Sequence, residues 1–278
     1  DKQMMLSVLY RHLQKYNIKV LSYAIMPDQY HLCLLIKKEL LTEKQMAAGY
    51  KKFTYGKQDL KPDDEDIQHF QKKSNDISEL MLGFQRDFGA CNNNTRTPKR
   101  HGTLWSDSFK CTKLVGHGAV STWMKYIDLT PVRLGACKKP EDYQFSSYSQ
   151  WHHCGKHPFE QNIHRYFMPT LQHHFEGNEI ADLKEYLDKT YTTVIAENKM
   201  QPANTNITAP KSKAPEINSL LHESPYWTNS ILISDKEHYR HEVELMLGHQ
   251  KASKHSECKC FDDNNEKLYS LRHLKRSR

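Results

Sequence analysis

The stretch from Ile18 to Ile36, IKVLSYAIMPDQYHLCLLI, constrains this chain more than any other. Two apolar runs rich in β-branched and aromatic residues, IKVLSYAI and YHLCLLI, are split by Met-Pro-Asp, and Pro27-Asp28 is a good turn pair. The pattern predicts a strand over Ile18 to Ile25, a turn, and a second strand that runs to Ile36. Before them, Met5, Leu9, Leu13 and Tyr16 recur close to helical spacing and predict a helix over residues 1–16. Side chains two apart on a strand share a face, so Gln29 and His31 project together while Tyr30, Leu32, Leu34 and Ile36 face the other way. The expectation is a shallow site on the first face and a core on the second.

Residues 37–73 are charged and only patchily apolar, with KPDDEDIQ the most solvated part, and read as an insertion that is partly helical at Lys44 to Tyr50. A helix is predicted from Asp76 to Phe88, carrying Ile77, Leu80, Met81 and Phe84 on one face. The polar CNNNTRTPKRHG then reads as a loop, and TLWSDSFKCTKLV as an edge strand or extended segment. Ala119 to Leu129 makes another helix with Val120, Trp123, Met124 and Ile127 as its stripe, ended by Pro131. The first domain is expected to close near Trp151. A helical extension over 152–195 follows, with Ile180, Leu183, Leu187 and Val194 on one face, then a linker over 196–215 rich in Pro, Asn, Thr and Ala. The remainder, 216–278, is expected to be a small helical module whose helix opens on a Ser234–Glu237 capping box and closes at Gly248.

A chain of 278 residues suits one domain with appendages or two domains. The longest apolar run falls well short of the ~20 residues of a membrane helix, so no membrane partner is expected. Seven scattered cysteines, an odd number, fit a reducing, cytoplasmic setting better than a disulfide framework. The opening Asp-Lys-Gln-Met-Met has neither an initiator methionine nor an apolar signal core, and a fragment lacking its true start is expected. Forty Lys+Arg against 33 Asp+Glu give a net charge of +7, concentrated in TRTPKRH, Lys138-Lys139 and the tail RHLKRSR. Such charge suits nucleic acid, and equally serves solubility. WHHCGKH and HSECKC gather histidine and cysteine, but without the paired spacing of a zinc site they read as solvated polar segments.

Tyr126, in WMKYIDLTPVRLG, stands one helical turn before Thr130, so the phenol and the hydroxyl share a helix face. A tyrosine held there is a nucleophile or a packing residue, and periodicity alone leaves both open. Four ordered segments decide more: VLSYAIMPDQYHLCLLI, HGTLWSDSFK, KYIDLTPVRLG and PEDYQFSSY. Together they resemble the successive signatures of the single-tyrosine HUH transposases, the family that includes the REP-associated tyrosine transposases. The resemblance covers roughly residues 1–151, with the insertion over about 37–73. It implies an α+β fold, a ferredoxin-like or RRM-like antiparallel sheet with helices on one face, here followed by a mainly helical C-terminal extension. The family's first strand would precede Asp1.

The implied reaction is cutting and rejoining of single-stranded DNA. A divalent ion, Mg²⁺ or Mn²⁺, polarises the scissile phosphate, and the tyrosine oxygen attacks phosphorus to give a 5′-phosphotyrosine and a free 3′-hydroxyl. One phosphoester is exchanged for another, so no nucleotide cofactor is needed, in keeping with the lack of a Walker-type glycine loop. Carried onto this chain, the resemblance makes Tyr126 the nucleophile and His31, Gln29 and Thr130 the metal ligands. Gln29 stands where the family has its first histidine and Thr130 where it has asparagine, so all three ligands are neutral and a weak site is expected. SDSF after Trp105 lacks the family's arginine. Lys99, Arg100 and Arg133 are the expected phosphate contacts, and Trp105 either stacks on a base or packs in the core. The partners implied are single-stranded or hairpin DNA and possible pairing as a homodimer. The alternative to the active enzyme is a decayed or repurposed member that binds such DNA without cleaving it.

Overall fold

The computed structural model describes residues 1–58, 65–171, 179–200, 230–248, 258–263 and 266–272. They form a mixed α+β protein whose strands lie in two sheets, one of two strands and one of four. Contacts divide the chain into two interleaved units. The first holds residues 1–21, 25–29 and 34–109, and the second holds 22–24, 30–33 and 110–278.

The predicted opening is present. Helix α1 (Lys2–Leu13) leads to β1 (Ile18–Ile25), a turn closed by the Met26 N–H donating to the Gln29 carbonyl at 2.8 Å, and β2 (Tyr30–Ile36), which pairs with β1. Strand β1 is buried along almost its whole length, as a strand covered on both faces must be. Strand β2 corrects the face assignment. Cys33 is its one buried residue, whereas Ile36 is 43% exposed, so the His31 side of the strand, not the Tyr30–Leu32–Leu34–Ile36 side, is turned inward. The physical reason is a helix that covers the His31 side, described below.

In the first unit the insertion is more structured than its charge suggests. Helix α2 (Glu43–Phe53) starts in a capping box in which Thr42 Oγ1 accepts from the Gln45 N–H and the Gln45 side chain accepts from the Thr42 N–H. It packs on α3 (Glu65–Lys73). Gly49 lets α2 cross the end of α1, because a β-carbon there would stand 2.1 Å from the Gln14 carbonyl oxygen. Gly49→Ala is therefore expected to cost about 1–3 kcal/mol in urea unfolding through overpacking against rigid backbone; an unchanged midpoint would contradict this crossing. Helix α4 (Ile77–Asn94) begins on Asp76, whose carboxylate accepts from the Ser78 N–H at 2.7 Å. It buries Leu80, Met81, Phe84 and Phe88 against α1. It also runs past the expected end at Phe88 into CNNN, because Asn92 is buried by tertiary packing that overrides a weak local propensity.

In the second unit β3 (Lys113–Val115) leads through Gly116 to α5 (His117–Asp128) and the single turn α6 (Thr130–Arg133). Pro131 ends α5, as expected, but also starts α6, since a proline in a first turn has no N–H to lose. Helices α7 (Ser147–Cys154), α8 (Glu160–Leu171) and α9 (Glu179–Met200) follow, so residues 196–200 of the expected linker are helical and the rest of it lies outside the described residues. The C-terminal module is a correction. Instead of a helical module, β4 (Ser230–Asp235), α10 (Lys236–Leu247), β5 (Cys258–Asp263) and β6 (Glu266–Arg272) form a βαββ unit. Its sheet has the order β3-β4-β6-β5, with β3 parallel to β4 and the other pairs antiparallel. Tyr269 and Leu271 stand two apart on β6 and share a face, and with Leu232 of β4 they pack on Tyr239 and Val243 of α10 to make a compact core. Ser234 lies in β4, and Asp235 caps α10 instead, accepting from the His238 N–H at 3.0 Å. Gly248 ends the helix at positive φ, as expected.

Candidate functional site

Helix α5 carries the expected nucleophile, and its surroundings decide what that residue can do. Ala119, Val120, Thr122 and every residue from Met124 to Asp128 are buried, so α5 is covered nearly all round. Strands β3, β4 and β6 supply part of the cover, and α9 supplies more. Lys125, buried on this helix, donates to the Tyr186 hydroxyl at 2.9 Å and lies 5.0 Å from that ring. Sequence periodicity gave α5 a single stripe and left Tyr126 beside it.

Tyr126 is instead 3% exposed. The Arg133 guanidinium sits over its ring at 3.8 Å from the centroid, the Trp123 ring lies at 5.4 Å, and the His31 ring meets it edge-on at 6.0 Å. A cation on an aromatic face away from bulk water is a favourable contact. Thr130, wholly buried, donates through Oγ1 to the Tyr126 carbonyl at 2.9 Å and accepts from Arg133 Nη2 at 2.6 Å, while Arg133 Nη1 reaches the same carbonyl at 3.3 Å. Arg133 thus ties the end of α5 to α6 and closes over the tyrosine. Burial, with a smaller push from Arg133, lowers the His31 pKa to about 4, so the imidazole is neutral at pH 7.

These contacts test the fit of a divalent ion. Thr130 Oγ1 already spends its proton on a carbonyl and a lone pair on a guanidinium, and a second cation at that oxygen would face Arg133 at hydrogen-bond range. Neither it nor His31 brings negative charge to offset the repulsion. The expected ligand set therefore does not fit Mg²⁺ or Mn²⁺ in this arrangement. Among the described residues, no group of three His, Cys, Asp or Glu side chains converges as a metal site. His157, in the histidine-rich segment, packs edge-on to Trp151 and accepts from the Phe159 N–H at 3.0 Å, a structural role, and burial lowers its pKa to about 3.

The structure brings Tyr126, Thr130, Arg133 and His31 together. Gln29, Lys99, Arg100 and Trp105 belong to the other unit. Lys99 and Arg100 are exposed in the loop after α4, and Arg100 is held loosely by a long hydrogen bond to the Thr103 carbonyl. Trp105 donates through Nε1 to the Gln85 carbonyl at 2.9 Å and lies 5.8 Å from the Phe88 ring, so it is seated on α4.

One group escaped notice in the sequence. Asp128, 3% exposed at the end of α5, accepts from Ser22 Oγ at 3.0 Å and from the Tyr191 hydroxyl at 2.8 Å. Ser147 Oγ donates to Ser22 Oγ and accepts from the Tyr23 N–H, while Tyr148 packs edge-on to Tyr191 and donates to Asp188. Burial raises the Asp128 pKa to about 7 against the lowering pull of its two donors. Its place two residues after Tyr126 was visible, but its partners lie 106 and 63 residues away.

No described helix is long and apolar enough to cross a membrane. No family model matches the chain, and no curated protein or solved structure matches it.

Proposed function

We propose that this chain is a repurposed relative of the single-tyrosine HUH transposases that binds single-stranded or hairpin DNA and does not cleave it. The observation that carries the reading is the state of Tyr126, buried beneath Arg133 with Thr130 committed to the same clamp. A phenol that attacks phosphorus needs in-line access to a phosphate, and the reacting atoms must approach to about 3–3.5 Å. A buried ring under a guanidinium does not offer that approach. Ancestry is supported by element order alone: α1, β1, β2, α4 and β3 follow the α-β-β-α-β run of a ferredoxin-like or RRM-like unit after its first strand, with α2 and α3 inserted, while β3 pairs with β4 and not in the β1-β2 sheet. The exposed Lys99 and Arg100 support phosphate binding. Five cysteines are free among the described residues, buried Cys33 included, and they support a reducing, cytoplasmic setting.

Incubation of the chain with a labelled DNA hairpin in Mn²⁺ is expected to give a complex on a native gel and no band that survives denaturation. Lys99→Ala should flatten the slope of log K against log[salt] by about 0.7 if the loop touches a single strand. A covalent adduct that disappears in Tyr126→Phe would overturn the reading. It would establish the second one, an active strand transferase, which the closeness of the His31 and Tyr126 rings favours.

A further inference from the structure

The described residues also form a cleft in the first unit, far along the chain from Tyr126 and built largely by the insertion. It measures about 440 Å³ with its open mouth counted, and the segment after α1 together with α2, α3 and α4 contributes to it. Aromatic rings dominate its walls. Tyr50 of α2 stands 6.1 Å from Phe70 of α3, and Tyr16 lines the side that follows α1. Two lysines, Lys15 and Lys73, are among its lining residues. Lys73 is matched by Glu79, Nζ to carboxylate at 2.5 Å, and so adds little net charge. Lys15 is different: its ammonium lies 3.8 Å from the Phe53 centroid and 5.7 Å from that of Tyr16, and among the described residues no carboxylate is within ion-pairing distance. Burial pulls its pKa below that of an ordinary lysine, against a weaker upward pull from the more distant Asp87 and Glu79 carboxylates.

An aromatic-walled cleft beside an ammonium with no carboxylate at ion-pairing distance among the described residues suits a planar ring that carries an anion. The cleft opens on one side to solvent, so one ring can enter while the rest of its molecule stays outside. We propose that the Tyr50–Phe70 cleft takes one nucleotide unit, the base stacked among the aromatic rings and the phosphate on Lys15. The choice of a unit within a single DNA strand rests on the DNA-binding function proposed above. Stacking needs only a π-face, so the site is tolerant of sequence, and it is worth roughly a factor of ten in affinity per base. The two inserted helices, which look from composition like solvated filler, would then be the part of the molecule that grips a base.

The test uses the whole chain and two probes, a short single DNA strand carrying one 2-aminopurine and the mononucleotide dAMP. Strand binding is expected to quench the 2-aminopurine, with Tyr50→Ala weakening the affinity about tenfold. Tyr50→Phe, which loses only the hydrogen bond to Gln58, should bind as the wild type does. Lys15→Gln should flatten the salt slope by about 0.7. If the strand binds wild type, Tyr50→Ala and Lys15→Gln alike, the cleft proposal is overturned while DNA binding stands. If dAMP binds and the strand does not, and Tyr50→Ala abolishes the dAMP signal, the cleft is a free-nucleotide site and the DNA-binding reading falls instead. Binding of neither probe overturns both.

Discussion

Asp128→Asn is expected to be more stable than the wild type at pH 7.5 and to lose most of that advantage near pH 4. The folded-state pKa of Asp128 is raised to about 7 from an ordinary 3.8. Between those values the unfolded chain has released the proton and the folded chain has kept it. The folded state then binds more protons, and stability falls as pH rises through the window, by at most about 1.4 kcal/mol per pH unit. Below the window both states are protonated and the stabilisation is complete; above it both are ionised and it is gone. Asparagine fills the same space with no charge to bury, and it can still accept from Ser22 or Tyr191. His31 and His157 work in the opposite sense, because their lowered pKa values make stability fall as pH drops from about 6.5. The difference between variant and wild type in urea midpoints at pH 4.5, 6 and 7.5 isolates the carboxylate. Parallel curves would mean that Asp128 is not held in the Ser22–Tyr191 pair.

Tyr126→Ala should be the most damaging single change on α5, costing about 3–5 kcal/mol of unfolding free energy, as loss of a buried aromatic ring does. The variant leaves a void beneath the Arg133 guanidinium, next to Trp123 and His31. Tyr126→Phe keeps the ring, and with it the cation contact, so it should cost much less. The pair of variants separates a packing tyrosine from a presented nucleophile by stability alone, with no DNA present. Should Tyr126→Ala unfold within about 1 kcal/mol of the wild type, the ring is not enclosed, and strand cleavage regains its footing.

What could be read from the sequence was whatever short-range chemistry specifies. The helix, strand, turn and strand over the first 36 residues rest on periodicity and on Pro27-Asp28, and each is present. The face of β2 was misjudged because alternation says which side chains go together but not which side is covered. Apolar Leu32, Leu34 and Ile36 outvoted Cys33 and His31, yet α5 covers the latter. The capping signal at Ser234 was one residue from a better one, since Asp235 precedes the same helix and Ser234 is needed by a strand. The motif around Tyr126 showed that tyrosine, threonine and arginine share a helix end. It could not show that the arginine turns back onto the ring, because one turn earlier or later on a helix face looks the same in a string of letters. Nor could it show how far the rest of α5 is buried, where Tyr186 meets Lys125, Tyr191 meets Asp128, and strands beyond residue 229 pack on the helix.

Strand β3 pairs with β4 across more than a hundred residues of chain, Leu114 beside Ile233. During synthesis from the N-terminus, the segments that look most like a transposase leave the ribosome long before the strands on which α5 lies. Contacts so distant in sequence form late and slowly. A nascent chain halted before residue 230 would have every recognisable motif but a Val120–Ile127 stripe lacking the share of its cover that β4 and β6 supply, making it a client for chaperones instead of a miniature of the whole.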